Sequence, residues 1–252
     1  MSRNPRRIQL TPAYVLHHHP YRDTSRILEV LTREHGRLSL FAKGVRGPRA
    51  KLAALVQPFR LLLVSWTGRG EAPQLTGAES GERDAGLPSR ALLPGFYLNE
   101  LVLKLTTRHD PLPALFDAYR EAIAGLRADA TPERALRLFE KRLLDVIGYG
   151  LDLAVVDPGE WYQFRPSQGL FLAVADAPGA VSGASLLALG REELNDQRAL
   201  EDSRRILRAA IGELLEGREL ASRTVARAVA RGEHRSSIWR SEERRVGKEC
   251  RS

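Results

Sequence analysis

The spacing of apolar residues along the chain changes once, near residue 80. Before that point, short runs of β-branched and aromatic residues alternate with turns rich in Gly and Pro, which is the pattern of short strands. Five such runs fall between residues 8 and 79. Five strands with one basic connection between the third and the fourth fit a small closed barrel such as an OB-fold. An SH3-like barrel fits the same pattern, and spacing alone does not separate the two.

The rest of the chain has a helical pattern. Residues 81–89 are polar and Gly-rich, which is typical of a linker, so we place the first domain at residues 1–80. After the linker, apolar residues recur about every 3.6 positions, as in amphipathic helices. We therefore predict an α+β fold class: an N-terminal OB-fold β-barrel followed by a C-terminal α-helical bundle domain over residues 90–235. Residues 150–178, which contain no cysteine, are expected to form an irregular insertion in that domain.

The final segment, residues 240–252, differs from the sequence before it. It has no apolar periodicity, and it is similar to the translation of a sequencing adapter, so we interpret it as a non-native tail. The alternative is a genuine basic tail with a free thiol. Cys250 is the one cysteine in the chain, so a disulfide framework within the chain and a cysteine-based zinc site are both excluded.

The positive charge is concentrated in the predicted barrel. The whole chain has a formal net charge of +8, and residues 1–80 hold 13 Lys and Arg against 5 Asp and Glu. Residues 81–239 are close to neutral, with 21 basic and 23 acidic side chains. A domain-sized basic segment favours an anionic partner, either a nucleic acid or an acidic protein.

Motifs for catalysis and metal binding are absent from the sequence. His17, His18 and His19 lie in a predicted strand, where only the first and third share a face, and no cysteine ligand accompanies them. The chain lacks a Gly-x-Ser-x-Gly motif, a P-loop and a Gly-x-Gly-x-x-Gly fingerprint, and Gly68-Arg-Gly70 is too short to cradle a phosphate. We expect no enzyme, no metal and no cofactor. A hydrolase acting through His109 and Asp110 is an alternative interpretation.

Membrane and secretory signals are also absent from the sequence. No run of 18 or more apolar residues is present, and the N-terminus lacks the apolar stretch of a secretory signal. A cytoplasmic protein with no membrane partner is therefore expected.

Several basic and aromatic residues lie near the predicted turns of the barrel. Cations that follow phosphates, together with aromatic rings that stack on bases, are what single-stranded nucleic acid requires. The candidates for DNA binding are Tyr21, Arg22, Arg26, Phe41, Lys43, Arg46, Arg49 and Lys51. Phe41 fits the barrel core equally well, so the pattern leaves its role open.

A series of short segments is similar to the RecO family of bacterial recombination mediators. The segments follow the family's order over about residues 8–230: His19–Ser25, Leu31–Arg37, Ala42–Arg46, Leu55–Phe59, Gly95–Leu101, Arg108–Pro111, Leu115–Tyr119, Phe139–Leu143 and Gly148–Asp152. The resemblance implies a non-enzymatic protein that binds single- and double-stranded DNA and anneals complementary strands. It also implies that the protein assists RecA loading onto DNA coated with single-stranded-DNA-binding protein, during recombinational repair at the nucleoid.

The same resemblance implies protein partners. These are RecR, RecA indirectly, and the acidic, Phe-ended tail of single-stranded-DNA-binding protein, which needs an apolar pocket rimmed by cations. Arg108, Arg120 and Arg127 are the candidates for that rim. Some members of the family carry a four-cysteine zinc insertion, but residues 150–178 hold neither Cys nor His, so no zinc is expected. The alternative function is a protein-interaction adaptor whose basic barrel binds an acidic protein.

Overall fold

The first domain is a closed five-stranded barrel. The computed structural model describes residues 7–45, 51–81, 86–128, 132–165 and 168–231. The strands are β1 (Arg7–Tyr21), β2 (Ser25–Thr32), β3 (Gly36–Ala42), β4 (Leu61–Thr67) and β5 (Gln74–Ser80), and a short helix α1 (Lys51–Leu55) connects β3 to β4. They close in the order β1-β2-β3-β5-β4. This order, with a helix before the fourth strand, is that of an OB-fold, so the predicted barrel is confirmed.

The barrel closes because β1 is long enough to pair with two strands. Its first half pairs with β4 and its second half with β2, and the register shifts between Val15 and His17. Such bulges bend a strand so that it can turn a barrel corner. The last side of the barrel is closed by a parallel contact between Phe41 of β3 and Gln74 of β5.

Alternation along the strands separates the barrel core from its surface. Leu28, Val30, Leu38 and Leu40 point inward and are at most 2% exposed. The same inner cluster includes Trp66 of β4. Residues between these positions point outward, because successive side chains in a strand face opposite sides.

The second domain is helical, as predicted. Its helices are α2 (Ser89–Leu105), α3 (Pro113–Ala128), α4 (Glu133–Val146), α5 (Gly183–Gly190), α6 (Gln197–Leu214) and α7 (Ala221–Ala230). Their shared core extends onto the outside of the barrel: the ring of Tyr14 in β1 lies 5.5 Å from that of Phe116 and 5.0 Å from that of Tyr119. The two domains are therefore packed against each other through apolar contacts.

The insertion predicted to be irregular contains a small sheet, which corrects that prediction. Strands β6 (Trp161–Arg165) and β7 (Gly169–Ala173) form an antiparallel hairpin, and β8 (Val181–Ser182) adds to the other side of β6. Gly169 begins β7 with φ at 75°, a conformation that glycine adopts without strain. β6 and β7 have five residues each and β8 has two, so their periodic signal in the sequence is weak.

A buried polar chain also joins the domains. The side-chain amide of Asn99 in α2 donates to the main-chain oxygen of Leu16 at 2.7 Å and accepts from the Tyr119 hydroxyl at 2.6 Å. Asn99 is only 2% exposed. Within the described residues, none of the helices is sufficiently long and apolar to cross a membrane.

Candidate nucleic-acid interface

An aromatic pair stands at the end of the barrel where β1 turns into β2. Ile27 pairs with Phe41, and Tyr21 pairs with Ser25 at the end of β1, so the register brings Tyr21 and Phe41 together. Their ring centroids are 5.5 Å apart and the planes meet at 86°. Tyr21 is exposed and Phe41 is half-buried. Because its neighbours Leu40 and Ala42 point into the core, the Phe41 ring lies outside it.

Two cations lie beside this aromatic pair. Arg22 occupies the β1–β2 turn, and its guanidinium carbon is 5.4 Å from the centroid of the Tyr21 ring. Lys43, two residues after Phe41, is exposed in the turn that follows β3. The structure therefore brings four of the predicted site residues to one end of the barrel.

Arg26 lies on the opposite side of β2 from these residues. It pairs with Ala42, whose side chain is fully buried in the barrel core. Its Nη1 atom is buried and has no hydrogen-bond partner among the described residues, and the same is true of His18 Nδ1. Burial lowers the pKa of His18, and the positive charge of Arg26 lowers it further. This part of the barrel end therefore carries the positive charge of Arg26, and protonation of the His18 imidazole is disfavoured.

The remaining predicted cations belong to the connection between β3 and β4. Arg46 and Arg49 lie outside the described residues. Lys51 is the first residue of α1, and the structure describes its main chain only. The prediction that this loop binds DNA stays a prediction.

The β4–β5 loop adds a cation that the sequence analysis missed. Arg69 is exposed between Gly68 and Gly70, which have φ angles of 109° and 99°. The loop ends at Pro73, whose main-chain oxygen accepts a hydrogen bond from the N–H of Phe41 at 2.9 Å. OB-folds bind oligonucleotides on the face of strands 2 and 3, between the β1–β2 and β4–β5 loops. The sequence feature that could have identified Arg69 is its position in the predicted β4–β5 loop, since the glycines on either side of it do not indicate a phosphate site.

The other end of strands β2 and β3 is covered by the helical domain. Glu29 of β2 accepts hydrogen bonds from Ser39 and Arg108 at 2.5 Å each, and from Arg37 at 3.2 Å. The main-chain N–H of His109 donates to the oxygen of Arg37 at 2.8 Å. Among the described residues, these contacts leave the opposite end of the strand face, which carries the aromatic pair, outside the interface with the helical domain.

The charge of Glu29 is stabilised inside this contact. Burial by itself would raise the pKa of Glu29, but the hydrogen bonds from Ser39 and Arg108 and the charges of Arg108 and Arg37 outweigh it. The pKa is therefore below its ordinary value. Glu29 is ionised at neutral pH and joins the barrel to the α2–α3 connection.

In the described part of the chain, the three arginines predicted to rim a partner pocket do not surround a common pocket. Arg108 pairs with Glu29, as described above. Arg127 donates to the main-chain oxygens of Gly86 and Phe59, and Arg120 is exposed on α3. Two of the three therefore stabilise the contact between the domains, and none of them lines a cleft in the helical domain that other arginines line.

That cleft has a volume of about 460 Å³ and lies between α2, α4, α6 and α7. Its apolar wall includes Leu93, Pro94, Leu136 and Ala226, all half-buried. Five arginines line it: Arg137, Arg204, Arg208, Arg223 and Arg227. Burial and the charges of its three neighbours Arg223, Arg204 and Arg227 lower the pKa of Arg208. Glu133 and Glu140 also line the cleft, and Arg137 is paired with Glu140, so the excess positive charge lies on the side formed by Arg204, Arg208 and Arg223.

Comparison with known proteins agrees with this architecture. Residues 7–82 match the family described as Recombination protein O N terminal, and residues 90–156 match the family described as Recombination protein O C terminal. An OB-fold barrel joined to a helical domain of this kind defines a class of DNA repair and recombination proteins. The chain belongs to the recombination protein O, or RecO, family.

Curated relatives cover almost all of the chain. The DNA repair protein RecO of Methylococcus capsulatus is 42% identical over 232 residues, which are 89% of this chain and 96% of the relative. That of Nitrosococcus oceani is 41% identical over 247 residues, covering 94% of this chain and 99% of the relative. That of Aromatoleum aromaticum is 40% identical, covering 87% and 95%. All three are named for DNA repair, and none of the names carries an enzymatic activity.

Proposed function

We propose that this protein is a non-enzymatic recombination mediator that binds single- and double-stranded DNA through the open end of its barrel. In this role it anneals complementary strands and assists RecA loading onto DNA coated with single-stranded-DNA-binding protein. Its partners include RecR, and RecA indirectly. It acts in the cytoplasm, at the nucleoid. The observation that carries the proposal is the pair of aromatic rings, Tyr21 and Phe41, flanked by exposed cations between the two OB-fold loops.

The chemistry of this surface suits a single strand. An exposed ring offers a π-face to any base, so stacking requires no particular sequence. Arg22, Lys43 and Arg69 lie in the turns and the loop that border this end of the barrel, where cations can meet the phosphates of a stacked strand. Arg26, behind them, adds positive potential without having to touch the DNA. Non-specific binding of this kind is what annealing requires, because the protein has to accept every sequence.

The aromatic pair provides the test. Tyr21→Ala combined with Phe41→Ala is expected to weaken binding of a fluorescent single-stranded oligonucleotide by roughly tenfold or more, since stacking contributes about 1–3 kcal/mol per base. Annealing of complementary strands should slow in parallel. Tyr149→Ala is the matched control, because Tyr149 is 61% exposed on the helical domain. Unchanged affinity and annealing in the double variant would refute this site, and binding of acidic proteins in place of DNA would favour the adaptor.

The arginine-lined cleft is the proposed site for the acidic, Phe-ended tail of single-stranded-DNA-binding protein. Its apolar wall suits a phenyl ring, and its five arginines suit carboxylates. We propose this cleft, and not Arg108, Arg120 and Arg127, as the tail site. Arg204→Ala combined with Arg208→Ala should weaken binding of a short acidic peptide ending in Phe, measured by fluorescence anisotropy. Arg120→Ala should leave that affinity unchanged, and the reverse pattern would favour Arg108, Arg120 and Arg127 as the tail site.

A further inference from the structure

Two imidazoles continue the outer face of β1 beyond the aromatic pair. His17 and His19 alternate with Tyr21 along the strand, so the three side chains point to the same side of the sheet. All three are exposed. The register shift before His17 sets this arrangement, because uninterrupted alternation from Val15, which belongs to the barrel core, would turn His17 inward. This face of β1 therefore carries a row of rings that runs from the barrel end toward the helical domain.

The two imidazoles form a second ring pair beside the first. The ring centroids of His17 and His19 are 4.3 Å apart and the planes meet at 73°, an edge-to-face arrangement like that of Tyr21 and Phe41. Ile27 of β2 is paired with His19 on one side and with Phe41 on the other, and it is half-buried. Side chains directly opposite each other on neighbouring strands share a face. An apolar side chain therefore joins the two ring pairs into one surface across three strands.

The imidazole pair is poorly suited to act as a pair of cations. Burial lowers the pKa of His17, and the charges of His19 and His18 lower it further, against an opposing effect of Glu29. Two protonated rings whose centroids are 4.3 Å apart would also repel each other. A single strand needs cations for its phosphates and ring faces for its bases. The exposed cations at the barrel end meet the first need, and the imidazoles meet the second, since histidine rings stack on unpaired bases.

This row of rings defines a longer site than the aromatic pair alone. Within the described residues, His17 and His19 have no third ligand with which to hold a metal ion. We propose that they form a second base-stacking site for single-stranded DNA, so that one strand runs along β1 from Tyr21 toward the helical domain. The four-residue step from Tyr21 to His17 spans roughly 13 Å, the length of about four nucleotides at the duplex spacing. The two ring pairs thus hold different bases of the same strand. The inference rests on the proposed function of the barrel end as the DNA site.

A strand without bases tests this inference. The probes are a fluorescent oligothymidylate and an abasic strand of equal length, which keeps the phosphates, and binding is followed by fluorescence anisotropy at about pH 8, where an ordinary imidazole is neutral. His17→Ala combined with His19→Ala should weaken binding of the oligothymidylate about fivefold or more for each base that loses its stacking partner. Binding of the abasic strand and the salt dependence of binding should stay unchanged, because no phosphate contact is lost.

Aromatic replacement separates the ring from the imidazole nitrogens. His17→Phe combined with His19→Phe keeps both rings and should bind the oligothymidylate as the unchanged protein does. His109→Ala is the matched control, because His109 is also exposed and its hydrogen bond to the barrel is donated by its main-chain N–H; it should leave the affinity unchanged. If the double alanine variant fails to fold, His17→Gln combined with His19→Gln, which is polar and has no ring, takes its place.

The outcomes separate this inference from the proposal beneath it. Unchanged affinity in the histidine variant, with weakened binding in the variant that combines Tyr21→Ala and Phe41→Ala, would overturn the second stacking site and leave the barrel end as the DNA site. Unchanged affinity in both variants would refute the barrel end and the inference together. An equal loss of affinity for the oligothymidylate and the abasic strand would show that the imidazoles contact phosphates, and would overturn the inference. A phenylalanine variant that binds no better than the alanine variant would also overturn it.

Discussion

The contact between the two domains depends on the charge of Glu29, and Glu29→Gln tests this with almost no change in shape. The Glu29 side chain is 5% exposed and that of Arg37 is 12% exposed, whereas that of Arg108 is 49% exposed. Removing one partner of a buried ion pair costs about 3–5 kcal/mol. The pair with Arg108 adds at most about 1 kcal/mol because solvent screens it. Arg37 keeps its hydrogen bonds to Thr106, which offset part of the loss.

We therefore expect Glu29→Gln to lower the free energy of unfolding by about 3 kcal/mol at neutral pH. For a chain of this size that corresponds to a fall in melting temperature of roughly 6–12 °C. Thermal unfolding followed by circular dichroism measures it. Glu34→Gln is the control, since Glu34 is exposed in the nearby β2–β3 turn, and it should leave the melting temperature unchanged.

The pH dependence of this stability difference tests whether the charge of Glu29 causes it. The pKa of Glu29 is lowered in the folded protein, so its contribution is complete above the pKa of the unfolded chain and is lost as the pH falls through the folded value. The difference between the unchanged protein and Glu29→Gln should therefore be constant from pH 8 to about 5 and shrink below that. A variant that melts with the unchanged protein at pH 7, or a difference that persists undiminished at pH 3, would refute this reasoning.

Three further predictions concern other parts of the fold. Gly36→Ala places a Cβ atom 2.1 Å from the main-chain oxygen of Asp110, so it should lower the melting temperature. Gly44→Ala is the control, because Gly44 has a similar positive φ and nothing lies within 4 Å of the position that its Cβ would take, and it should lower the melting temperature much less. Equal effects of the two substitutions would rule out the clash. Asn99→Leu leaves the buried oxygen of Leu16 and the Tyr119 hydroxyl unpaired, so it should lower the free energy of unfolding in urea by about 3 kcal/mol. Asn195→Leu, at an exposed position, should change that free energy little. An Asn99→Leu protein as stable as the unchanged protein would contradict this. Metal analysis of the purified protein should find no stoichiometric zinc, and one equivalent would overturn the expectation drawn from residues 150–178.

The barrel was predictable because its signal is local. Each strand carries its own alternation, and Leu61–Thr67 is apolar enough to be recognised alone. The location of Phe41 was not predictable, because whether its ring enters the core depends on the register of β3 in the closed barrel. Helix α5, a short run of Gly, Ala, Ser and Leu, has too weak an apolar period to separate it from the loops around it.

The candidate sites also differ in how far local sequence could predict them. Tyr21, Arg22, Phe41 and Lys43 meet because they flank turns of adjacent strands, which sequence analysis can anticipate. The cleft is assembled from helices as distant in sequence as α2 and α7, so no local pattern in the sequence indicates it. Arg108 and Arg127 resemble free cations in the sequence, yet the packing of the barrel on the helices gives them partners. Arg137 resembles an ordinary surface arginine and is buried, because α4 turns that face toward α2 and α6.

The salt dependence of single-stranded DNA binding tests the central claim most directly. Each phosphate neutralised on a single strand contributes about −0.7 to the slope of log affinity against log salt. The unchanged protein should show a slope of several units, and replacing Arg22, Lys43 and Arg69 together by Ala should reduce it by about 2, for every oligonucleotide sequence alike. Arg191→Ala, at an exposed position on the helical domain, should leave the slope as it is. A triple variant with the same slope and affinity as the unchanged protein would contradict the assignment of the barrel end as the DNA-binding surface.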